Sequence, residues 1–323
     1  MSTLTGLSPH KRTLTPSPRA RSGDSGVRGL VRRFPTASFF ALAFGLSWAA
    51  WAPYVLSVHG LGVLDLRFPE VLGTTQLLGG LPGAYLGPLA AAFVVTALVE
   101  GRAGLRAWAH RLTHWRVGWR RYAAVLVTVP AVVLLSTVAL PGALAGAQPI
   151  SPVVLAAYLP MLVLQILTTS LAEEPGWRDF ALPRLQASFG PVLGTTVLGL
   201  LWGCWHLPLF LIAEWGGYPE QSWVLPVVFV AGCVPLSIIM TWAFNRSGQS
   251  VPLVMVLHAS INSTYTLVWP VAFPHLDFHL DTALTMLLAS TAVAAVLLLA
   301  TRGRLGLPAP ARGGHPVEAA PAS

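Results

Sequence analysis

Charge is what this chain lacks most. Only 10% of its 323 residues are Asp, Glu, Lys or Arg, against roughly 25% in an average soluble domain. A soluble chain of this length needs a solvated surface, and there is too little charge here to cover one. Lysine is nearly absent, with Lys11 alone beside 19 arginines. Cysteine is scarce as well. Cys204 and Cys233 both fall inside apolar runs, with no CxxC or Cys/His pattern around them. That excludes a disulfide framework and leaves both as small core residues. There is no HExxH, which excludes a zincin centre.

What is present is hydrocarbon, with 54% of residues hydrophobic. The runs predict an all-α polytopic membrane protein with about eight transmembrane helices, over 37–58, 73–99, 122–144, 152–184, 190–213, 223–244, 250–268 and 282–301. Each is near the roughly 20 residues that cross a hydrocarbon core, except the fourth, which is longer. Internal Pro and Gly do not argue against spans, because membrane helices tolerate them. Residues 1–36 are rich in Ser, Pro, Gly and Arg and read as a disordered tail. Residues 302–323 read as a second one, leaving 37–301 as a single membrane domain. Between Gly101 and Tyr122, Leu105, Trp108, Leu112, Trp115 and Trp119 recur at three- and four-residue steps among arginines. That pattern predicts an amphipathic helix lying at the membrane interface.

The net charge is +8. A basic balance can signal nucleic acid, but placement argues otherwise. The basic residues concentrate in the first 33 residues, in the loop 100–121 and at alternate helix ends, while Arg67 alone falls on the opposite side. This is the positive-inside pattern. It predicts a multi-pass protein of the inner membrane with both termini cytoplasmic, membrane lipid as its surroundings, and no nucleic-acid partner.

A few polar residues interrupt the apolar runs. Glu173 and Glu174 stand side by side, with Arg178 one turn later; His206 follows in the fifth run, and His258 and Asn262 in the seventh. Ionisable groups inside spans are expensive and usually mark a pathway or a reaction centre. Glu174 and Arg178 are at i and i+4, so the guanidinium can hold that carboxylate. Glu173 points about 100° away and need not share its job. Pro175 and Gly176 predict a loosened helix just after the acids. His258 and Asn262 share a face and can orient a water or stabilise an oxyanion. Two His and a Glu from separate helices can also make an open zinc site, here Glu174, His206 and His258. Taken singly, each has a plain reading. A buried His is most often a satisfied core residue, and an interhelical polar pair is worth about 0.6 kcal/mol. Together they would be several independent and costly accidents.

Glu173-Glu174-Pro-Gly-Trp-Arg178 resembles the EExxxR motif of the CPBP family, which includes type II CAAX prenyl proteases and the bacteriocin-processing Abi proteins. Trp202-Gly-Cys-Trp-His206 resembles its FxxxH motif, with Trp where the pattern has Phe, and His258-Ala-Ser-Ile-Asn262 its HxxxN motif. The motif-bearing region is about 150–268. The resemblance implies an intramembrane metalloendopeptidase that cleaves a membrane-associated protein or peptide. Glu173 and Glu174 would be the catalytic carboxylates and Arg178 their organiser. His206, His258 and Asn262 would bind water, oxyanion or a divalent metal such as zinc. It also implies bacteriocin maturation or self-immunity as settings. Two rivals remain: a proton- or ion-coupled transporter built from the same residues, and a non-catalytic scaffold that confers immunity by binding. The outer-loop set His275, Asp277, His279 and Asp281 reads as a solvated loop.

Overall fold

The computed structural model describes residues 26–308. It is all helix and turn, with eight helices long and apolar enough to cross a membrane among the described residues. In chain order the helices are α1 (Val27–Arg33), α2 (Pro35–Leu56), α3 (Gln76–Val99), α4 (Gly101–Leu112), α5 (Trp119–Thr137), α6 (Pro152–Phe189), α7 (Pro191–Leu211), α8 (Val224–Arg246), α9 (Val251–Ala272) and α10 (Leu280–Thr301). The protein is a polytopic membrane protein, and the spans fall close to where the apolar runs place them.

Three boundaries differ from the sequence reading, each for a local reason. Residues 27–33, read as part of a disordered tail, form α1, and residues 1–25 of that tail lie outside the described residues. The amphipathic segment is helical only to Leu112. Gly118, at φ 89°, then turns the chain, so Trp115 lies in the connection and Trp119 opens α5. The fourth span does not stop at residue 184 but runs to Phe189. A fresh helical segment starts at Leu182 with Pro183 in its first turn, where the missing N–H costs nothing. It ends at Gly190, whose φ of 77° lies in the left-handed region that favours glycine.

The two longest motif helices start alike. Ser151 and Ser250 each cap a helix through the side-chain oxygen, accepting from Val154 N and Leu253 N, with Pro one position after Ser151 and two after Ser250. A serine cap followed by Pro satisfies one orphan donor and omits another. Glycines then set the close approaches. A Cβ on Gly199 of α7 would lie 2.8 Å from Val234 Cα of α8, and one on Gly203 would lie 3.0 Å from Val230 Cα. Small residues four apart let membrane helices meet backbone to backbone. That contact turns the end of α7, with Trp202 and His206, toward the centre of the bundle.

α9 lies at the centre of the bundle. In its most apolar stretch 72% of residues are buried by protein, against 11% in α5. Neither cysteine is bridged; Cys233 is buried and Cys204 half-buried. On the face opposite the arginine-rich connections, Glu214 ties two loops by accepting from Thr74 and Thr75. Partial burial opposes its ionisation, but these hydrogen bonds prevail and hold the carboxyl below its usual range. The outer-loop acids are structural: Asp277 accepts from Leu280 N at 2.5 Å at the start of α10, and Asp281 from Asp277 N at 2.8 Å.

Candidate active site

Three helices bring the site together. α6 supplies Glu173, Glu174 and Arg178; α7 supplies His206; α9 supplies His258 and Asn262. The acids occupy the last turn before a π-helical stretch, Pro175–Ala181. Pro175 has no N–H to continue the α ladder, and π insertions inside α-helices are frequent at functional sites. The wider turn fits because residue 176 is glycine. A Cβ there would lie 2.6 Å from Pro88 Cβ on α3, so no larger residue fits without a shift.

Glu173 and Glu174 have different partners. Glu174 is wholly buried, with one oxygen hydrogen-bonded and the other ion-paired. Its Oε1 accepts from His258 Nδ1 at 2.7 Å, and its Oε2 faces Arg178 Nε at 3.3 Å. Arg178 is itself fully buried. It donates to Met240 Sδ at 3.0 Å and Ser237 Oγ at 3.4 Å, and its guanidinium lies 4.8 Å from the centre of the Trp202 ring. Glu173 has one strong partner: its Oε2 accepts from Trp202 Nε1 at 2.7 Å, the short distance of a charge-assisted bond. Its Oε1 has no hydrogen bond among the described residues.

Trp202 links the rest. Its carbonyl faces His206 Nδ1 at 2.8 Å, which directs that ring's Nε2 outward as an acceptor. Its indole stands edge-on to both imidazoles, 5.8 Å from His206 and 5.5 Å from His258. His206 also stacks on Trp215. The Nε2 atoms of His206 and His258 carry no hydrogen bond within the described residues. Glu173 Oε1 shares that state, whereas the unbonded Glu174 Oε2 and Arg178 Nε are buried facing each other.

Asn262 stands one step back. Its Nδ2 donates to Gln165 Oε1 at 3.4 Å, and Thr169 Oγ1 donates to the same oxygen at 3.0 Å. It shares a helix face with His258 but makes no bond to the acids or imidazoles. The zinc donor set behaves differently from the sequence expectation. Glu174 spends both oxygens on His258 and Arg178, and His258 and His206 both turn Nδ1 to protein partners. Among the described residues, no three His, Cys, Asp or Glu side chains converge closely enough to share an ion. Glu174 therefore offers no spare oxygen to the Glu174, His206 and His258 set expected for zinc.

Three contributors escape a motif-level reading. Trp202 is visible as an aromatic, but nothing in the sequence shows its N–H aimed at Glu173. Gln165 had a faint signal, a lone amide in an apolar run about two turns before Glu173. Asp179, directly after Arg178, is buried and paired with Arg111 of α4, while Trp108 Nε1 of α4 donates to Pro175 O at 3.2 Å. The interfacial helix is thus fastened at two points to the stretch that follows the acids. Arg184 of α6 pairs with Glu100 just ahead of α4 as a third tie.

Comparison with known proteins agrees with the motif layout. Residues 154–264 match the family model described as Type II CAAX prenyl endopeptidase Rce1-like. The curated CAAX prenyl protease 2 of Methanococcus maripaludis is 30% identical over 107 residues. That alignment covers 32% of this chain and 39% of the relative, and all three motifs lie within the matched family segment. Through this segment, about a third of its length, the chain is similar to the type II CAAX prenyl endopeptidases.

Proposed function

We propose that this protein is an intramembrane endopeptidase that hydrolyses a peptide bond in a membrane-associated protein or peptide. Glu173 is the general base and Glu174 the group that orients His258. The observation that carries the reading is the unequal treatment of the two acids. One carboxylate is locked between an imidazole and a guanidinium, and its neighbour, tied to the Trp202 indole by one oxygen, keeps the other without a hydrogen bond.

Glu173 Oε1 takes one proton from a water whose other hydrogen is held by an imidazole Nε2 acceptor. The resulting hydroxide adds to the scissile carbonyl carbon, and the C=O π pair moves onto oxygen. The oxyanion is stabilised by the amide N–H of Asn262, on the same helix face as His258. Glu173 then passes its proton to the amide nitrogen, the C–N bond breaks, and the carboxyl and amine products separate. Glu174 and Arg178 keep His258 in one orientation through this cycle, the role of a buried carboxylate behind a catalytic imidazole. Trp202 holds Glu173 in line.

The arginine distribution supports a cell-membrane protein with both ends and the site mouth on the cytoplasmic side. The name of the archaeal relative supports substrates that end near a membrane anchor. Maturation of a small exported peptide, or immunity to one, is a biological setting compatible with this chemistry.

The test compares membrane-associated peptide fragments from cells carrying the native chain and the Glu173→Ala chain, at matched expression. A fragment pair that appears only with the native chain supports the proposal. Identical peptide profiles, with ion-coupled flux in liposomes instead, would make the protein a transporter. An immunity phenotype that persists in Glu173→Ala would make it a scaffold.

A further inference from the structure

A second feature lies away from the acids. α5, α8, α9 and α10 enclose a lateral groove of about 560 Å³, within the roughly 300–1,000 Å³ of typical ligand sites. None of Glu173, Glu174, His206 or His258 lines it. On α9 it uses Leu253, Leu257, Ile261 and Tyr265, a stripe of four-residue steps next to the face that bears His258 and Asn262. The walls are almost wholly apolar, except at one end. There Arg121, from the first turn of α5, and Arg246, the last residue of α8, both line the groove. Arg246 also borders an adjoining hollow with Arg304 and Trp242. All three arginines are exposed, and no Asp or Glu lines either space.

From this we infer that the groove is a binding site for one anionic glycerophospholipid, its phosphate held between Arg121 and Arg246 and an acyl chain laid along the α9 stripe. The charge pattern selects the occupant. Two guanidiniums without a carboxylate at the mouth of a membrane-level apolar groove are built for phosphate, which Arg binds through paired N–H donors. Basic pockets between transmembrane helices bind such headgroups. A free phosphate would leave the apolar length of the groove unfilled, and a neutral lipid would leave the arginines without a partner. Tyr265, whose hydroxyl is buried without a hydrogen-bond partner among the described residues, lies on the same wall. An occupied groove would brace the helix that carries two of the site residues.

Native mass spectrometry of the full chain, extracted in mild detergent and exchanged into nanodiscs, reads this directly. In phosphatidylcholine discs with rising phosphatidylglycerol, the native chain should retain one phosphatidylglycerol saturably. Arg121→Gln/Arg246→Gln should bind it about 30-fold more weakly, the loss expected from two interfacial arginines. Glu173→Gln should retain it as the native chain does, so the lipid result stands apart from any result on cleavage. The inference is overturned if phosphatidylcholine is held equally well, or if uptake never saturates. It is also overturned if the double variant, shown folded by its thermal transition, retains the lipid undiminished. Recovery of a peptide or a neutral isoprenoid from the groove would overturn it too. Should the double variant not fold, the native titration alone decides: saturation at one lipid per chain is the expected result, and linear uptake is the contrary one.

Discussion

The two halves of α6 are continuous in the chain and opposite in environment. From Pro152 to Gln165 the helix is apolar and only Leu162 is buried; Val153 and Leu155, for example, are 76% and 60% exposed. From Ala172 to Leu182 every residue is buried, and the acids, Arg178 and Asp179 are all in that stretch. In water the first half would be the one hidden. Here the lipid solvates the apolar half, while protein encloses the polar half, because an ion facing hydrocarbon is costly and an ion facing its partner is not. The contrast predicts where this molecule is brittle and where it tolerates change.

The largest effect should come from removing Glu174. Glu174→Ala leaves Arg178 buried without its counter-charge and His258 without its anchor. Breaking a buried pair costs about 3–5 kcal/mol, and losing an oriented acid–base partner costs about 10²–10⁴ in rate. Thermal unfolding in detergent and peptide turnover check the two separately. Gly176→Ala comes next. Its Cβ would collide with Pro88 and force α6 from α3, an overpacking cost of about 1–3 kcal/mol, seen as a lower unfolding temperature. Asp179→Asn should cost less, about 1–2 kcal/mol, because Arg111 is partly exposed and its ion pair is partly screened. Protection of α4 amides from hydrogen exchange should fall in that variant, since its tie to the π stretch is weakened. The smallest effect belongs to the lipid-facing half: Leu155→Ala should stay within about 0.5 kcal/mol. A large loss at Leu155 with none at Gly176 would invert the comparison.

Much of this was legible in the sequence, and the reasons are physical. Eight spans follow from run length alone, since the bilayer imposes one dimension on every crossing. The convergence of α6, α7 and α9 follows from cost: Glu174 and His258 could not both be buried unless something paired them, and they pair with each other. What was not legible is finer. The end of α6 was misplaced because Pro183 stops a helix in its interior but starts one in its first turn, and only the π stretch before it tells which applies. The amphipathic helix was drawn too long because Trp115 and Trp119 keep the spacing after Gly118 has broken the backbone. The division of labour between Glu173 and Glu174 depends on the direction of a single indole N–H, at a position where the family pattern has Phe, which carries no such donor.

In the proposed mechanism Glu173, with one oxygen unbonded, is the base, and Glu174 serves it through His258. This assignment is tested most directly in proteoliposomes that hold a membrane-anchored reporter peptide. Cleavage by the native chain, abolished in Glu173→Gln while the unfolding temperature stays near native, is the predicted result. Cleavage that continues in Glu173→Gln at the native rate would contradict it.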